Sequence, residues 1–421
     1  MSVIDRIDGL RKLAAADADG DASAHHAMLR ELRLLQVAVE TPIETTSRLN
    51  FQILQNICLR VAVEKGFLQS VVAADGKVVL ASDLARRTNV DVLLISKAPS
   101  SAQKMMVHAY PLPAVRVMRV LISIGVVSEA DENTYAANAV TRHQVTSGAI
   151  GALKHHFDLD MKMGGDLVAY MRRRPDDTIY QFAGEPEGCQ TLFDFSHGHP
   201  TIFGLLSSDT DKGREQKQSF DDYMASKRPP ASMQQWFDIY PAASRLSNAG
   251  PADSETALIV DVGGGPGQEL IQLKAKCPEL PGRFVLQDLP ITLDRIGNLP
   301  AGIEKMPYDF FTPQPIKHAR VYFMRDIMHN WSDVKCSQIL GNIAAAMDKS
   351  YSTLLIDQYV LPAVGADLRA AEMDILMWLH TSGLQRTASM WEQLLSGVGL
   401  RVVKIWDGQT GMESVIEVEK L

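Results

Sequence analysis

The stretch from Ala257 to Leu270, ALIVDVGGGPGQEL, constrains this chain more than any other. Ala257 to Val260 is an apolar, partly β-branched run suited to a strand buried on both faces. Asp261 ends the run, Gly263, Gly264, Gly265 and Gly267 predict a tight turn, and Gln268 to Ala275 reads as a helix. Strand, glycine turn and helix in that order aim backbone N–H groups and a helix N-terminus at a ligand. The fold class this predicts is α/β.

The glycine spacing separates the candidate ligands. A dinucleotide fingerprint places its third glycine three positions after the second, for close helix packing beside a pyrophosphate. That position here is Gln268, and the glycines recur instead at 263, 265 and 267. The D-x-G-x-G-x-G run resembles the first motif of S-adenosylmethionine (SAM) methyltransferases, whose ligand has no pyrophosphate. On this motif alone a nicotinamide, a flavin or a structural turn stays open. A second apolar run, Arg283 to Leu286, leads to Asp288 and Leu289, about 20 residues beyond the glycines, where a carboxylate can bond ribose hydroxyls. An Asp there can equally cap the next helix. A third unit, MPYDFFTPQP, sets Asp309 and Phe310 after another strand end, suited to an adenine amino group and an adenine face. VYFMRDIMHNWSD follows, a strand and then Arg325, Asp326, His329 and Trp331.

Together these four stretches resemble the plant caffeate-type and fungal class of small-molecule O-methyltransferases. The resemblance is strongest from Ala257 to Glu392 and is one of pattern before Tyr240. It implies a Rossmann-like methyltransferase sheet preceded by an α-helical, winged-helix dimerisation domain. It assigns SAM to Asp261, Gly263, Gly265, Asp288, Leu289, Asp309, Phe310 and Arg325. His329 takes the place of the family's general base, with Asp326, Gln358 and Gln385 around it. The acceptor pocket is expected from His156, Met224, Trp236, Met377 and His380, with no metal.

Length and composition agree with that reading. A chain of 421 residues exceeds one ordinary domain; the expected parts are 1–150, dimerisation, 151–240, acceptor pocket, and 241–421, SAM binding. Apolar content of 46% and charged content of 22% are those of a globular protein, and a net charge of −8 lacks the basic footprint of nucleic-acid binding. Cys58, Cys189, Cys277 and Cys336 have no metal or C-x-x-C spacing, which fits a reducing compartment. The acidic start is not a signal peptide, and no apolar run reaches a membrane span of roughly 18 residues. A cytoplasmic enzyme with a small-molecule acceptor is expected.

Residues 1–40 read as two helices broken by DADGDAS, and Thr41-Pro42 opens a longer one with Ile43, Leu49, Ile53, Ile57, Val61 and Val63 at helical spacing. That apolar surplus predicts burial, against a second copy by resemblance or against the chain's own core. VRVMRVLISIGVVSEADENTYAAN resembles a winged helix, yet Arg116 and Arg119 alone do not make a phosphate-binding face. Residues 150–240 read as helical and rich in Met, Phe and His. Their Met and aromatic residues suit plain core as well as a pocket, and adjacent His155 and His156 point apart on a helix. Thr353 to Ile356 reads as a fourth strand and Met373 to His380 as a helix. The tail forms two strands, with Glu417 to Lys420 read as a solvated edge.

One departure bears on mechanism. The family supports its base with two carboxylates, and those positions hold Gln358 and Gln385. A glutamine can orient an imidazole but cannot stabilise an imidazolium by charge. Asp357 falls on the opposite face if it lies on a strand. Two readings follow. Either the chain methylates an acidic hydroxyl, or it resembles the fungal offshoots that keep SAM as an electrostatic fixture for a dehydration or pericyclic step on a pyridone.

Overall fold

The computed structural model describes residues 2–89, 116–174, 190–227, 234–247, 256–408 and 412–421. They form two units: residues 1–10, 30–168 and 203–228 in the first, residues 11–29, 169–202 and 229–421 in the second.

In the first unit the helix Pro42–Glu64 begins where the sequence signals it. Thr41 caps it, its backbone N–H donating to Glu44 Oε2 at 2.8 Å, and Pro42 takes the first helical position, where no N–H is needed. The end of this helix packs Ala62 and Val63 into a core with Phe67, Leu68, Leu84, Met118, Leu121, Val127 and Tyr135. Leu59 and Val61 pack against that core half-buried, whereas the first turns stay out of it: Ile43 is 75% and Phe51 63% exposed. A small antiparallel sheet completes the unit, β1 (Val79–Leu80), β2 (Ser128–Asp131) and β3 (Thr134–Ala136), in the order β1-β3-β2. Asn133 makes the hairpin turn in the left-handed region at φ 56°, a conformation asparagine tolerates. The helices Ala81–Thr88 and Val117–Ser123 belong to the same unit, and residues 90–115 between them lie outside the described residues, as does Cys189. Cys58, Cys277 and Cys336 are free thiols.

The second unit is built on a seven-stranded sheet. Its strands are β4 (Ala257–Val262), β5 (Arg283–Asp288), β6 (Ile303–Pro307), β7 (Val321–Arg325), β8 (Thr353–Gln358), β11 (Leu400–Trp406) and β12 (Ser414–Lys420). A separate short pair joins β9 (Val360–Leu361) to β10 (Arg386–Thr387). The order is β11-β12-β8-β7-β4-β5-β6, parallel from β6 to β8 and antiparallel at β12 and β11. The sheet is buried on both faces. Val260, Val262, Tyr322, Met324, Leu354, Ile356 and Ile416 face Ile339, Leu340 and Trp391. Their strand neighbours Ile259, Val321, Phe323, Leu355 and Val415 face Trp236, Leu270 and Leu273 on the other side.

Two boundaries differ from the sequence reading. β4 runs through Asp261 to Val262, because the ladder to β5 carries Asp261 opposite Leu286 and Val262 opposite Gln287. The tail is no solvated edge at Glu417. β12 lies between β11 and β8, and Glu417 is 5% exposed, its carboxylate taking hydrogen bonds from Arg245 Nη1 at 2.8 Å and Trp406 Nε1 at 2.9 Å. A charge is tolerated there because both oxygens are bonded.

The chain order fixes where a ligand can sit. From β4 the chain moves outward through β5 and β6, then returns to the other side of β4 with β7. That reversal opens a crevice at the carboxyl ends of β4 and β7, the place where open α/β sheets bind ligands.

Candidate active site

The glycine turn lies at that crevice. Gly263, Gly265 and Gly267 have φ of 73°, 55° and 78°, so each occupies the left-handed region that a side chain disfavours. Gly263 is also closed by contact: a Cβ would sit 2.7 Å from Ile327 Cδ1. The Gly263 and Gly264 N–H groups are spent on Gln287 O, at 2.8 and 3.1 Å. Asp261 is buried beneath the turn, where a Cβ on Gly264 would meet its Oδ2 at 2.4 Å.

Asp288, at the end of β5, is held from two sides. Its Oδ2 accepts from Gly265 N–H at 2.9 Å and its Oδ1 from Leu289 N–H at 2.7 Å. A carboxylate fixed by two backbone donors keeps acceptor lone pairs for a diol. Leu289 beside it is exposed. Asp309 and Phe310 follow β6 as the sequence predicts. Asp309 Oδ1 takes the N–H of Phe311 at 3.0 Å, and Phe310 lies edge-on to Trp331 with centroids 6.1 Å apart. Asn342 Nδ2 donates to Phe310 O at 3.0 Å and fixes that turn from the side.

Arg325 ends β7 and is enclosed by carboxylates. Nη1 lies 3.0 Å from Glu269 Oε1, Nε 3.3 Å from Asp357 Oδ2, and Nη2 3.9 Å from Glu413 Oε1. Burial alone would push its proton off; Asp357, Asp326 and Glu413 outweigh burial and hold the guanidinium charged. The sequence carries no local signal for this grouping. Glu269 follows the glycine turn and Glu413 begins the last hairpin, so only the tertiary fold brings them to Arg325.

The backbone then turns sharply. Asp326 sits in the left-handed region at φ 54°, its N–H donating to Asp357 O at 3.2 Å, and a 3-10 turn, Met328–Asn330, carries His329. The imidazole is 7% exposed. Its Nδ1 lies 3.0 Å from Gln385 Nε2 and 3.9 Å from Asp326 Oδ1. Gln358 Nε2 in turn donates to Gln385 Oε1 at 3.2 Å. Gln358 and Asp357 are adjacent on β8 and serve opposite faces, one toward His329 and the other toward Arg325. The segment 383–386 clasps the same turn. Leu384 N–H donates to His329 O at 3.1 Å, and a Cβ on Gly383 would meet that oxygen at 1.9 Å. Buried Arg386 donates to Met328 O and Trp331 O, both at 3.0 Å, and to Asp333 Oδ1 at 2.7 Å. Sequence reasoning passed over Arg386 and over Asp374, whose Oδ1 accepts Gln385 N–H at 2.7 Å.

The residues expected around an acceptor have distinct settings. His380 is buried on the helix Leu368–Thr381, edge-on to Phe193 at 6.2 Å, with half-buried Met377 one turn away. Trp236 belongs to the core: it is 2% exposed and packs on Phe323 of β7 with centroids 4.3 Å apart. An aromatic at helical spacing suits a pocket and a core equally, and here the sheet face claims it. In the first unit His156 Nδ1 lies 3.1 Å from Asp160 Oδ2, and Met224 is half-buried on the helix Asp211–Lys227.

The seven-stranded sheet, parallel except for the antiparallel β12 and β11 at one end, matches the architecture of the class I SAM-dependent methyltransferases. Residues 252–401 match the O-methyltransferase domain family. The chain is 30% identical to the demethylsterigmatocystin 6-O-methyltransferase of Aspergillus parasiticus over 387 residues, 90% of this chain and 89% of that enzyme. It therefore belongs to the O-methyltransferase family, with fungal secondary-metabolite enzymes among its relatives. Among solved structures, LepI in complex with SAM has a TM-score of 0.79 at 26% identity, covering 100% of both chains. A structure described as a pericyclic reaction enzyme has a TM-score of 0.78 at 25% identity, covering 99% of this chain and 100% of its own. SAM is the cofactor. The cradle fits it: the glycines keep the turn free of side chains where a flat ligand must approach, and the Asp288 carboxylate, with one bond at each oxygen, keeps acceptor capacity for hydroxyl donors. Among the described residues no helix is long and apolar enough to cross a membrane.

Proposed function

We propose that this protein transfers the methyl group of SAM to a hydroxyl of a small aromatic or polyketide-type metabolite, with His329 as general base. The observation that carries the reading is the imidazole after β7, held at Nδ1 by Gln385 in the same turn sequence that bears the family's base. SAM supplies a methyl group already activated by its sulfonium, so the protein's task is to orient the oxygen and remove its proton. Orientation contributes roughly 7–11 kcal/mol, and a base about 3 Å from the hydroxyl a further 10²–10⁴-fold. Asp288 binds the ribose, Asp309 and Phe310 the adenine, and Gly263 and Gly265 leave room for the rest. Arg325 acts at the same edge through its carboxylate partners. Met377 and His380, on the helix Leu368–Thr381, line the acceptor side.

Residues 1–150 pair two copies in this reading, a winged-helix module serving as scaffold; the exposed Ile43, Leu49, Phe51 and Ile53 support it. The enzyme works in the cytoplasm on a diffusible acceptor.

A second reading keeps SAM without consuming it, for a dehydration or pericyclic step. Two observations favour it: neutral Gln358 and Gln385 in place of carboxylates, and the likeness to a structure described as a pericyclic reaction enzyme. The deciding assay follows cofactor and acceptor by mass with stoichiometric SAM. One methyl gained per SAM lost supports transfer, whereas acceptor converted over many turnovers with SAM intact ends it.

A further inference from the structure

Gln358 and Gln385 differ from carboxylates more in chemistry than in shape. A carboxylate only accepts hydrogen bonds, so beside Nδ1 it enforces one neutral tautomer, with the proton on Nδ1 and the lone pair on Nε2. A primary amide accepts at one end of a nearly symmetric fork and donates at the other.

The three side chains form one buried chain: Gln358 Nε2 donates to Gln385 Oε1 at 3.2 Å, and Gln385 Nε2 lies 3.0 Å from His329 Nδ1. In this direction Gln385 donates to Nδ1, and the neutral imidazole carries its proton on Nε2. Turning both amides by half a turn keeps every heavy atom in place and reverses the chain. Nδ1–H then donates to Gln385 Oε1, and Gln385 Nε2 donates to Gln358 Oε1. Reversal exchanges one unpaired group at the outer end of Gln358 for another, an acceptor for a donor. Gln358 Oε1 is buried without a hydrogen-bond partner among the described residues, and reversal puts the NH₂ group there instead. Charge also distinguishes the two directions. Asp326 Oδ1, 3.9 Å from Nδ1, is too far for a hydrogen bond but favours a proton on that nitrogen. The other charged neighbours are engaged elsewhere: Arg386 on the Met328 and Trp331 carbonyls, Asp374 on Gln385 N–H, Asp357 on Arg325.

We propose that Gln358 and Gln385 are positioning residues that form a two-direction relay, letting His329 hold its proton on either ring nitrogen. In one direction Nε2 is a base toward a hydroxyl; in the other it is a donor toward a carbonyl oxygen. The substrate class this suits is a keto–enol compound, which presents an enol hydroxyl in one form and a carbonyl in the other. The substrate assignment rests on the proposed function, whereas the relay is a property of the fold with SAH bound and no acceptor present.

The test uses the full chain labelled with ¹⁵N-histidine and saturated with SAH, at a pH where the imidazole is neutral, with the His329 signals assigned by their loss in His329→Asn. The wild-type ring nitrogens are expected at shifts between those of the two pure tautomers. Gln358→Glu, which does not touch the imidazole, makes position 358 acceptor-only. Gln385 must then donate to it and turn its oxygen to Nδ1. The expected result is a shift of both ring nitrogens to the Nδ1–H tautomer. Gln385→Glu should reach the same end point directly, and serves if the first variant does not bind SAH. Ring nitrogens that stay at their wild-type positions in Gln358→Glu, or in Gln385→Glu where that variant serves, overturn the relay. A shift with no methyl transfer to any acceptor leaves the relay standing and ends the function it was joined to.

Discussion

The Asp288 carboxylate is bonded to the glycine turn that it serves: Oδ2 accepts from Gly265 N–H at 2.9 Å. The acid proposed for the ribose, at the end of β5, and the glycine turn at the end of β4 are therefore held to each other by a direct hydrogen bond. Preorganisation of this kind lowers the cost of binding because less is immobilised at that moment.

Asp288→Ala should accordingly weaken SAM binding by about 1.5–3 kcal/mol, the range for hydrogen bonds to a charged group. Asp288→Asn keeps the shape and should lose less. Titration calorimetry with SAM reads both, and tight binding of NAD by the wild type with none of SAM would end the cofactor assignment.

Exposed Ile43 and Phe51 lead to a second expectation. Apolar side chains in a row along one helix mark an interface, and the copy-to-copy pairing proposed above covers them. Light scattering of the full chain should give a dimer, and Ile43→Glu with Phe51→Glu should give a monomer with its helix content intact. A wild-type monomer at micromolar concentration would remove the dimer from the proposal.

Alkaline stability follows from Cys336, which lies under the His329 turn with Sγ 3.3 Å from Met328 O. Burial raises its pKa from 9.0 to about 11. Between those values the folded chain keeps a proton that the unfolded chain has released. The unfolded state thus binds fewer protons, and stability falls as pH rises from about 9 through about 11. Tyr322, raised by burial to about 12, adds a loss of the same sign at higher pH. Melting temperatures across that window should fall more steeply for wild type than for Cys336→Ser. Equal slopes would remove the thiol from the account.

The strands of the parallel part of the sheet and the glycine turn were legible in the sequence because β-branched runs and glycine spacing are local signals. The opposite faces of Asp357 and Gln358 were legible for the same reason, since adjacent strand residues must diverge. Arg325 was not. Its setting depends on Glu269 and Glu413, which no spacing relates to it. Glu417 was misread because a charged end looks solvated until β12 is known to lie inside the sheet. Trp236 shows a third limit: periodicity marks it as apolar-facing without saying whether core or ligand fills the space.

Arg386 is the residue whose loss should most disturb the site without touching a ligand. Its guanidinium satisfies Met328 O and Trp331 O, at the two ends of the turn that carries His329. Arg386→Met removes one charged donor from each carbonyl, at about 1.5–3 kcal/mol for each hydrogen bond to a charged group. Met328 O keeps Trp331 N–H and Cys336 Sγ, and Trp331 O keeps Cys336 Sγ. Denaturant unfolding should show the loss, with turnover falling further than SAM affinity. Wild-type stability in the variant would mean that water replaces the guanidinium at no cost.

His329 itself is the sharpest test of methyl transfer. The imidazole follows the strand that ends in Arg325, and its Nδ1 lies 3.0 Å from Gln385 Nε2. If it removes the acceptor's proton, His329→Ala should lower turnover by roughly 10²–10⁴-fold. SAM affinity should be nearly unchanged, because the proposed ribose and adenine contacts are Asp288 at the end of β5 and Asp309 and Phe310 after β6. Restoring charge gives the opposite sign. Gln385→Glu places a carboxylate about 3 Å from Nδ1, favours the imidazolium and should keep or raise methylation. Initial rates with saturating SAM, followed by mass of the methylated product, measure both. A His329→Ala enzyme that methylates at the wild-type rate would show that the acceptor arrives already ionised and that orientation alone carries the reaction.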